Sequence, residues 1–156
     1  MNVEQFRELV KPVAEAVAGR PLAAELADEL DRRFPPDGAQ FQAIEAACHQ
    51  AIAAGWMCAQ GGAGRRFGRV IEPGPQTSEL SVDVVDLTDV VGPHHRHPKG
   101  EICMVMPQTP TARFDGKGAG WKVYPPGSAH RPTVTGGRAL VLYMLPGGQI
   151  EFTATA

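Results

Sequence analysis

The sequence predicts a mainly β fold, an all-β barrel or sandwich of about seven short strands, preceded by a segment of about three α-helices. Three observations carry this. Apolar residues in the first 55 positions recur at steps of three and four. Beyond residue 66 short β-prone runs alternate with turn residues. Most of the 18 glycines and 14 prolines fall in that second part, where tight turns need them.

The helices come first in order. Val3, Phe6, Val10, Val13 and Val17 form one apolar stripe. Asn2 suits the N-cap with Gln5 three residues on, and Pro12 predicts a kink or a split. A second helix is expected from Pro21, with Leu22, Leu26 and Leu30 on one face and "FPPDG" as its stop. Asp37 and Gln40 resemble a capping box for a third helix. Its buried face is Phe41, Ile44, Cys48 and Ile52, and Gly55 ends it. The strands follow as "FGRVI", "ELSVDVVDL", "EICMVM", "TARF", "WKVY", "RALVLYML" and "IEFTA". Leu80, Val82 and Val84 alternate with Ser81 and Asp83, as in a half-buried strand. The division expected is a helical segment at 1–60 and a barrel domain at 61–156; "GGAG" is a candidate hinge, although the helices carry little core for an independent domain.

Composition narrows the function. At 156 residues, 43% hydrophobic and 21% charged, the chain can bury a core without staples. A net charge of -2 gives no electrostatic footprint for nucleic acid or an anionic membrane, and no basic helix-turn-helix is visible. Three widely spaced cysteines suggest neither a disulfide framework nor a thiolate zinc site, so a reducing cytoplasm is the expected compartment. "MNVEQFRELVKP" lacks the apolar run of a signal peptide, and no stretch approaches the roughly 18 apolar residues of a membrane helix.

Three of the five histidines fall in "HHRHPKGE" at 94–101, and a fourth, His130, in "YPPGSAHRP". His95 and His97 share a face if the segment is a strand, and Glu101 has the same parity. Three imidazoles and a carboxylate are a sensible donor set for Zn, Fe, Mn or Ni. The alternative is a polar cluster or solvated loop with no metal.

These motifs resemble those of the cupins. Gly92, His95, His97 and Glu101 match the first cupin motif, and Pro125, Gly127 and His130 the second. The glycine usual after the glutamate is missing, and Val134 stands where an asparagine is expected. The resemblance implies a cupin-type β-barrel (jelly roll) with a central pocket and the ligand set His95, His97, Glu101 and His130. Cupins commonly pair through barrel edges, which implies a homo-oligomer. A closer resemblance covers nearly the whole chain. "GWKVYPPGSAHRPTVTGGRALVLYMLPGGQIEF", with "RFGRVIEP" and "HPKGEICMVMP" upstream, is similar to the 4-hydroxylaminobenzoate lyase family of bacterial nitroaromatic catabolism. It implies conversion of 4-hydroxylaminobenzoate to 3,4-dihydroxybenzoate with release of ammonia, and no organic cofactor.

That substrate is a flat ring with a carboxylate at one end and N–OH at the other. The carboxylate calls for a guanidinium. Arg69 is the first choice because it sits inside "FGRVI", and Arg131, Arg113 and Arg138 are the alternatives. Trp121, Tyr124, Tyr143 and Phe152 are candidates to line the slot. Breaking N–O needs a proton or a Lewis acid, which assigns Glu101, His130 and His95 as the catalytic candidates. The competing classes are a metal-dependent cupin isomerase or dioxygenase on another small carboxylate, and a non-enzymatic small-molecule-binding cupin.

Overall fold

A computed structural model describes residues 1–153. Three helices lead, α1 (Val3–Val17), α2 (Ala24–Arg33) and α3 (Ala39–Ala54). Asn2 and Gln5 form the expected reciprocal capping box on α1. That helix runs unbroken through Pro12. The carbonyl that loses its partner belongs to Glu8, which is exposed and can bond water. The second helix begins three residues after Pro21, with Ala23 as its N-cap. Asp37 does not cap α3. Gly38 does, and Gln40 instead donates to the Leu9 carbonyl, tying α3 to α1. Gly55 ends α3 in the left-handed conformation that favours glycine. No helix among the described residues is long and apolar enough to cross a membrane.

Ten strands follow: β1 (Gln60–Gly62), β2 (Arg65–Ile71), β3 (Leu80–Val91), β4 (His95–His97), β5 (Glu101–Pro107), β6 (Arg113–Phe114), β7 (Gly120–Tyr124), β8 (Ser128–His130), β9 (Thr133–Pro146) and β10 (Glu151–Phe152). Of the run "IEFTA", Ala154 lies outside the described residues. The "GGAG" stretch closes a β1–β2 hairpin in which Gly62 pairs with Arg65. Gly61 sits at φ 93°, and a Cβ there would fall 2.1 Å from the Arg65 carbonyl oxygen.

The large sheet has the order β1-β2-β3-β9-β5-β7, with β6 also on β9, and a smaller sheet has the order β10-β4-β8. This is the cupin-type barrel the sequence predicts, mainly β with three leading helices. Strand alternation sorts the large sheet into two faces. Val82, Val84, Ile102, Met104, Leu140 and Leu142 point outward and form one apolar cluster with Phe6, Val10, Leu26, Leu30, Phe41 and Ile44 of the helices. Each such side chain, fully buried, contributes about 1.5–3 kcal/mol. Val85, Leu87, Cys103, Val105 and Val141 have the opposite parity and belong to a second cluster on the inner face. The helices thus cover the outside of the sheet and leave its inner face to the functional site.

Candidate metal and substrate site

Pairing of β4 with β8 builds the centre. His95 stands opposite His130 and His97 opposite Ser128. The burial pattern of β4 alternates, so His95 and His97 face inward and Arg96 faces solvent. A tight turn then reverses the chain into Glu101. Gly100 makes it possible at φ 90°, where a Cβ would come 2.7 Å from the Tyr124 carbonyl oxygen. The His97 carbonyl accepts from the amides of Gly100 and Gly127, which fastens this turn to the one preceding His130. One ligand atom from each of His95, His97, Glu101 and His130 lies within 4.8 Å of every other. The four residues of the two short motifs therefore converge, and three of them are buried.

Hydrogen bonds assign the tautomers. The His95 Nδ1–H faces the Pro93 carbonyl at 3.1 Å, and the His130 Nδ1–H faces Asp115 Oδ2 at 2.7 Å. Both rings then carry their lone pair on Nε2. His97 Nε2 lies 2.6 Å from Glu101 Oε2 and 3.0 Å from His130 Nε2. His97 Nδ1 is buried without a partner. Burial pushes the His95 pKa down to about 4, the charge of His97 adds to this, and Glu101 opposes it. Nε2 of His95 and of His130 therefore points its lone pair at the centre, and with Nε2 of His97 and the Glu101 carboxyl alongside, the four residues form a donor set that fits a divalent cation.

Asp115, which the motif spacing leaves outside, is part of this arrangement. It accepts from His130, from the Tyr124 hydroxyl and, at 2.8 Å, from the Thr133 amide. Burial alone would raise its pKa, but the bonds from His130, Tyr124 and Thr133 outweigh it and hold the carboxyl below the usual range. Tyr124 is pushed the other way by burial and by Asp115, so its phenol stays protonated. The Tyr124 ring lies 4.4 Å from that of His130 and stacks on His97 at 6.1 Å. The only sequence signal for Asp115 is the "DGKG" turn, where it adopts φ 47°.

A cavity of about 110 Å³ opens beside the centre, walled by Phe67, Val85, Leu87, Phe114, Pro132, Ile150 and Phe152. His95, Glu101, Tyr143 and Arg65 are its polar lining. Tyr143 and Phe152 stand where a slot-lining role was expected. Trp121 does not: strand parity turns it outward, between Phe34 and Phe41, with its Nε1–H on the Phe34 carbonyl at 2.9 Å. Tyr124 supports the histidines and is not part of the cavity wall. Arg69 is also absent from the wall. Its Nε donates to Asp83 at 2.9 Å and its Nη2 to the Gly148 carbonyl at 3.1 Å. Arg138 makes a two-pronged pair with Asp86, and Arg113 and Arg131 are exposed and outside the lining. The cationic residue on the wall is Arg65, two positions along β2 from Phe67, whose ring it covers at 5.2 Å.

The chain is similar to known proteins in fold and in sequence. Among solved structures, the chain is similar to a protein of unknown function with a cupin-like fold from Ralstonia eutropha JMP134 (18% identity, TM-score 0.40, 54% of this chain and 56% of that one). It is also similar to an oxalate oxidase in complex with the substrate analogue glycolate (22%, TM-score 0.45, 60% and 57%). Two curated proteins named 4-hydroxylaminobenzoate lyase match over most of their length. The one from Pseudomonas putida is 30% identical, over 79% of this chain and 80% of its own. The one from Nocardioides sp. (strain LMS-CY) is 28% identical, over 92% and 90%. The family model described as PnbB, 4-hydroxylaminobenzoate lyase, matches residues 8–152. The chain belongs to the 4-hydroxylaminobenzoate lyase family and is an enzyme of that kind.

Proposed function

We propose that this enzyme converts 4-hydroxylaminobenzoate and water to 3,4-dihydroxybenzoate and ammonia, in the catabolism of nitroaromatic acids such as 4-nitrobenzoate. The observation that carries the reading is the cavity: aromatic and aliphatic walls, with His95 and Glu101 among its polar groups and Arg65 as its cation. At about 110 Å³ the cavity is smaller than the roughly 150 Å³ that takes up benzene, so the ring enters it in part and the carboxylate end stays at the mouth beside the exposed Arg65. The substrate carboxylate pairs with Arg65, and the N–OH group is directed to His95 and Glu101.

The conversion is redox-neutral. The N–O bond breaks with its electron pair on oxygen, and that oxygen leaves as water after taking a proton. A water oxygen then bonds to the ring carbon beside the C–N carbon and gives up a proton. A second water adds at the imine carbon, ammonia leaves, and loss of the ring proton restores aromaticity. One water departs and two enter, which balances the equation. Glu101 Oε2, beside His97 Nε2, donates the first proton and accepts a later one. The apolar walls keep bulk water from the electrophilic ring. A divalent cation held by His95, His97, Glu101 and His130 would supply Lewis acidity towards oxygen at this wall. Zn, Fe, Mn and Ni all suit the donors, and the metal present after purification identifies which serves.

Purified protein given 4-hydroxylaminobenzoate is expected to yield 3,4-dihydroxybenzoate and ammonia in equal amounts. Consumption without ammonia, or a rearranged aminophenol as the product, overturns the assignment.

A further inference from the structure

We infer that Asp115 is a positioning residue that fixes the tautomer of His130 and thereby presents its Nε2 lone pair to the centre. The inference rests on the metal reading of the site and not on the identity of the substrate. Several independent features support it. Asp115 Oδ2 lies 2.7 Å from His130 Nδ1, at the far side of the ring from the nitrogen that faces His97. Both carboxylate oxygens are tied down, Oδ1 by the Thr133 amide and Oδ2 also by the Tyr124 hydroxyl, so the carboxylate cannot swing away. The Asp115 backbone is held at φ 47°, a conformation that costs a non-glycine residue energy and persists where its surroundings impose it. The amide of Asp115 is bonded to the Thr133 carbonyl at 2.8 Å, so Asp115 and Thr133 exchange bonds in both directions.

An imidazole ligand commonly donates its remote N–H to a carboxylate, which orients the ring and raises its basicity. His95 receives the neutral version of this support from the Pro93 carbonyl, and His97 Nδ1 has none. His130 is therefore the histidine of the centre whose orientation is set by an anion. Tyr124 adds a second effect. Its ring packs at 4.4 Å on His130 and its hydroxyl meets the same Oδ2, so one side chain restrains both the imidazole and the carboxylate that orients it.

The test uses the Zn²⁺-loaded and the chelator-treated protein, in wild type and Asp115→Asn. Long-range ¹H–¹⁵N correlation should show His130 protonated on Nδ1 in both wild-type forms. An asparagine can still accept from the Thr133 amide, so Asp115→Asn keeps the turn while its carboxamide replaces the anion. Its Zn²⁺ affinity, read by calorimetry with the metal alone, should fall about 10- to 100-fold, the usual effect of losing such a partner. Its His130 signals should show the mixture of tautomers absent from wild type. A merely structural role for Asp115 would lower the melting temperature and leave tautomer and affinity unchanged. Tyr124→Phe keeps the Asp115–His130 bond and should retain the Nδ1–H tautomer. Wild-type His130 protonated on Nε2 in the chelated protein, or Asp115→Asn with wild-type Zn²⁺ affinity, overturns the inference. Failure of wild type to bind any divalent metal sinks the metal reading instead, and the tautomer still tests Asp115 by itself.

Discussion

Replacing Glu101 by glutamine separates the chemistry of the site from its packing. The Glu101 side chain is 3% exposed; its Oε1 accepts from the Cys103 thiol and its Oε2 lies 2.6 Å from His97 Nε2. A glutamine has one oxygen and one NH₂ to set against those neighbours. If its oxygen faces His97, the NH₂ meets the Cys103 thiol; if it faces Cys103, the NH₂ meets His97. With the NH₂ towards the Cys103 thiol one buried contact is lost, which costs about 1–3 kcal/mol of stability, whereas towards His97 it donates to the imidazole lone pair and costs less. Loss of the proton shuttle should lower kcat by about 10² or more, about 2.7 kcal/mol of barrier. Substrate KM should change little, because Arg65 and the apolar wall are untouched. Cys103→Ser in the Glu101→Gln background gives the NH₂ a hydroxyl acceptor, so it should recover part of the stability and none of the rate. The assay is steady-state ammonia release beside thermal unfolding. Near-wild-type kcat in Glu101→Gln, with His130→Ala inactive, would refute the reasoning and move the proton transfer to histidine.

Other perturbations test other parts of the account. Arg65→Ala should raise KM for the aromatic carboxylate at least tenfold with a smaller change in kcat, whereas Arg69→Ala should leave KM alone; the reverse pattern in steady-state kinetics would return the carboxylate to Arg69. Arg69→Ala should also destabilise the fold by about 1–3 kcal/mol, since Asp83 is buried and loses its guanidinium, and urea unfolding measures this. His95 governs a pH effect in the metal-free protein: its folded pKa, about 4, lies below the unfolded value, so its contribution is complete above about pH 6.5 and is lost as pH falls towards 4. The loss is of the order of 3 kcal/mol at most, and His95→Gln should flatten that part of the stability profile. Gly100→Ala should cost about 2 kcal/mol or more and weaken metal binding with it, because the added Cβ strikes the Tyr124 carbonyl between two ligand-bearing strands; an unchanged melting temperature would argue against it.

The reach of the sequence differed between local and long-range features. Helix faces and the long strands were legible because apolar period reports them directly, as at Val3 to Val17 and Leu80 to Val84. The His95/His97 pair was legible for the same reason: strand parity needs no knowledge of partners. Capping was less so, since Gly38 takes the N-cap of α3 and the Gln40 amide donates to the Leu9 carbonyl on α1, a contact 31 residues distant. Trp121 was misjudged because an aromatic residue on a barrel strand fits either face, and only the docking of α2 and α3 decides which. Arg65 was not among the candidates because the β-prone run "FGRVI" starts at Phe67, whereas β2 begins at Arg65 with the parity of Arg69. Asp83 opposite Arg69 in the register settles where that guanidinium goes. Asp115 was passed over because it reaches His130 through tertiary pairing and belongs to neither motif.

The most direct test compares wild type with His97→Ala for metal content and ammonia release in the same preparations. His97 is fully buried at the centre, with its Nε2 beside both Glu101 and His130. Wild type should carry about one divalent metal per chain and release ammonia and 3,4-dihydroxybenzoate in equal amounts from 4-hydroxylaminobenzoate. His97→Ala, checked as folded by circular dichroism, should carry no metal and release no ammonia. A folded His97→Ala protein that turns over at the wild-type rate would contradict the account.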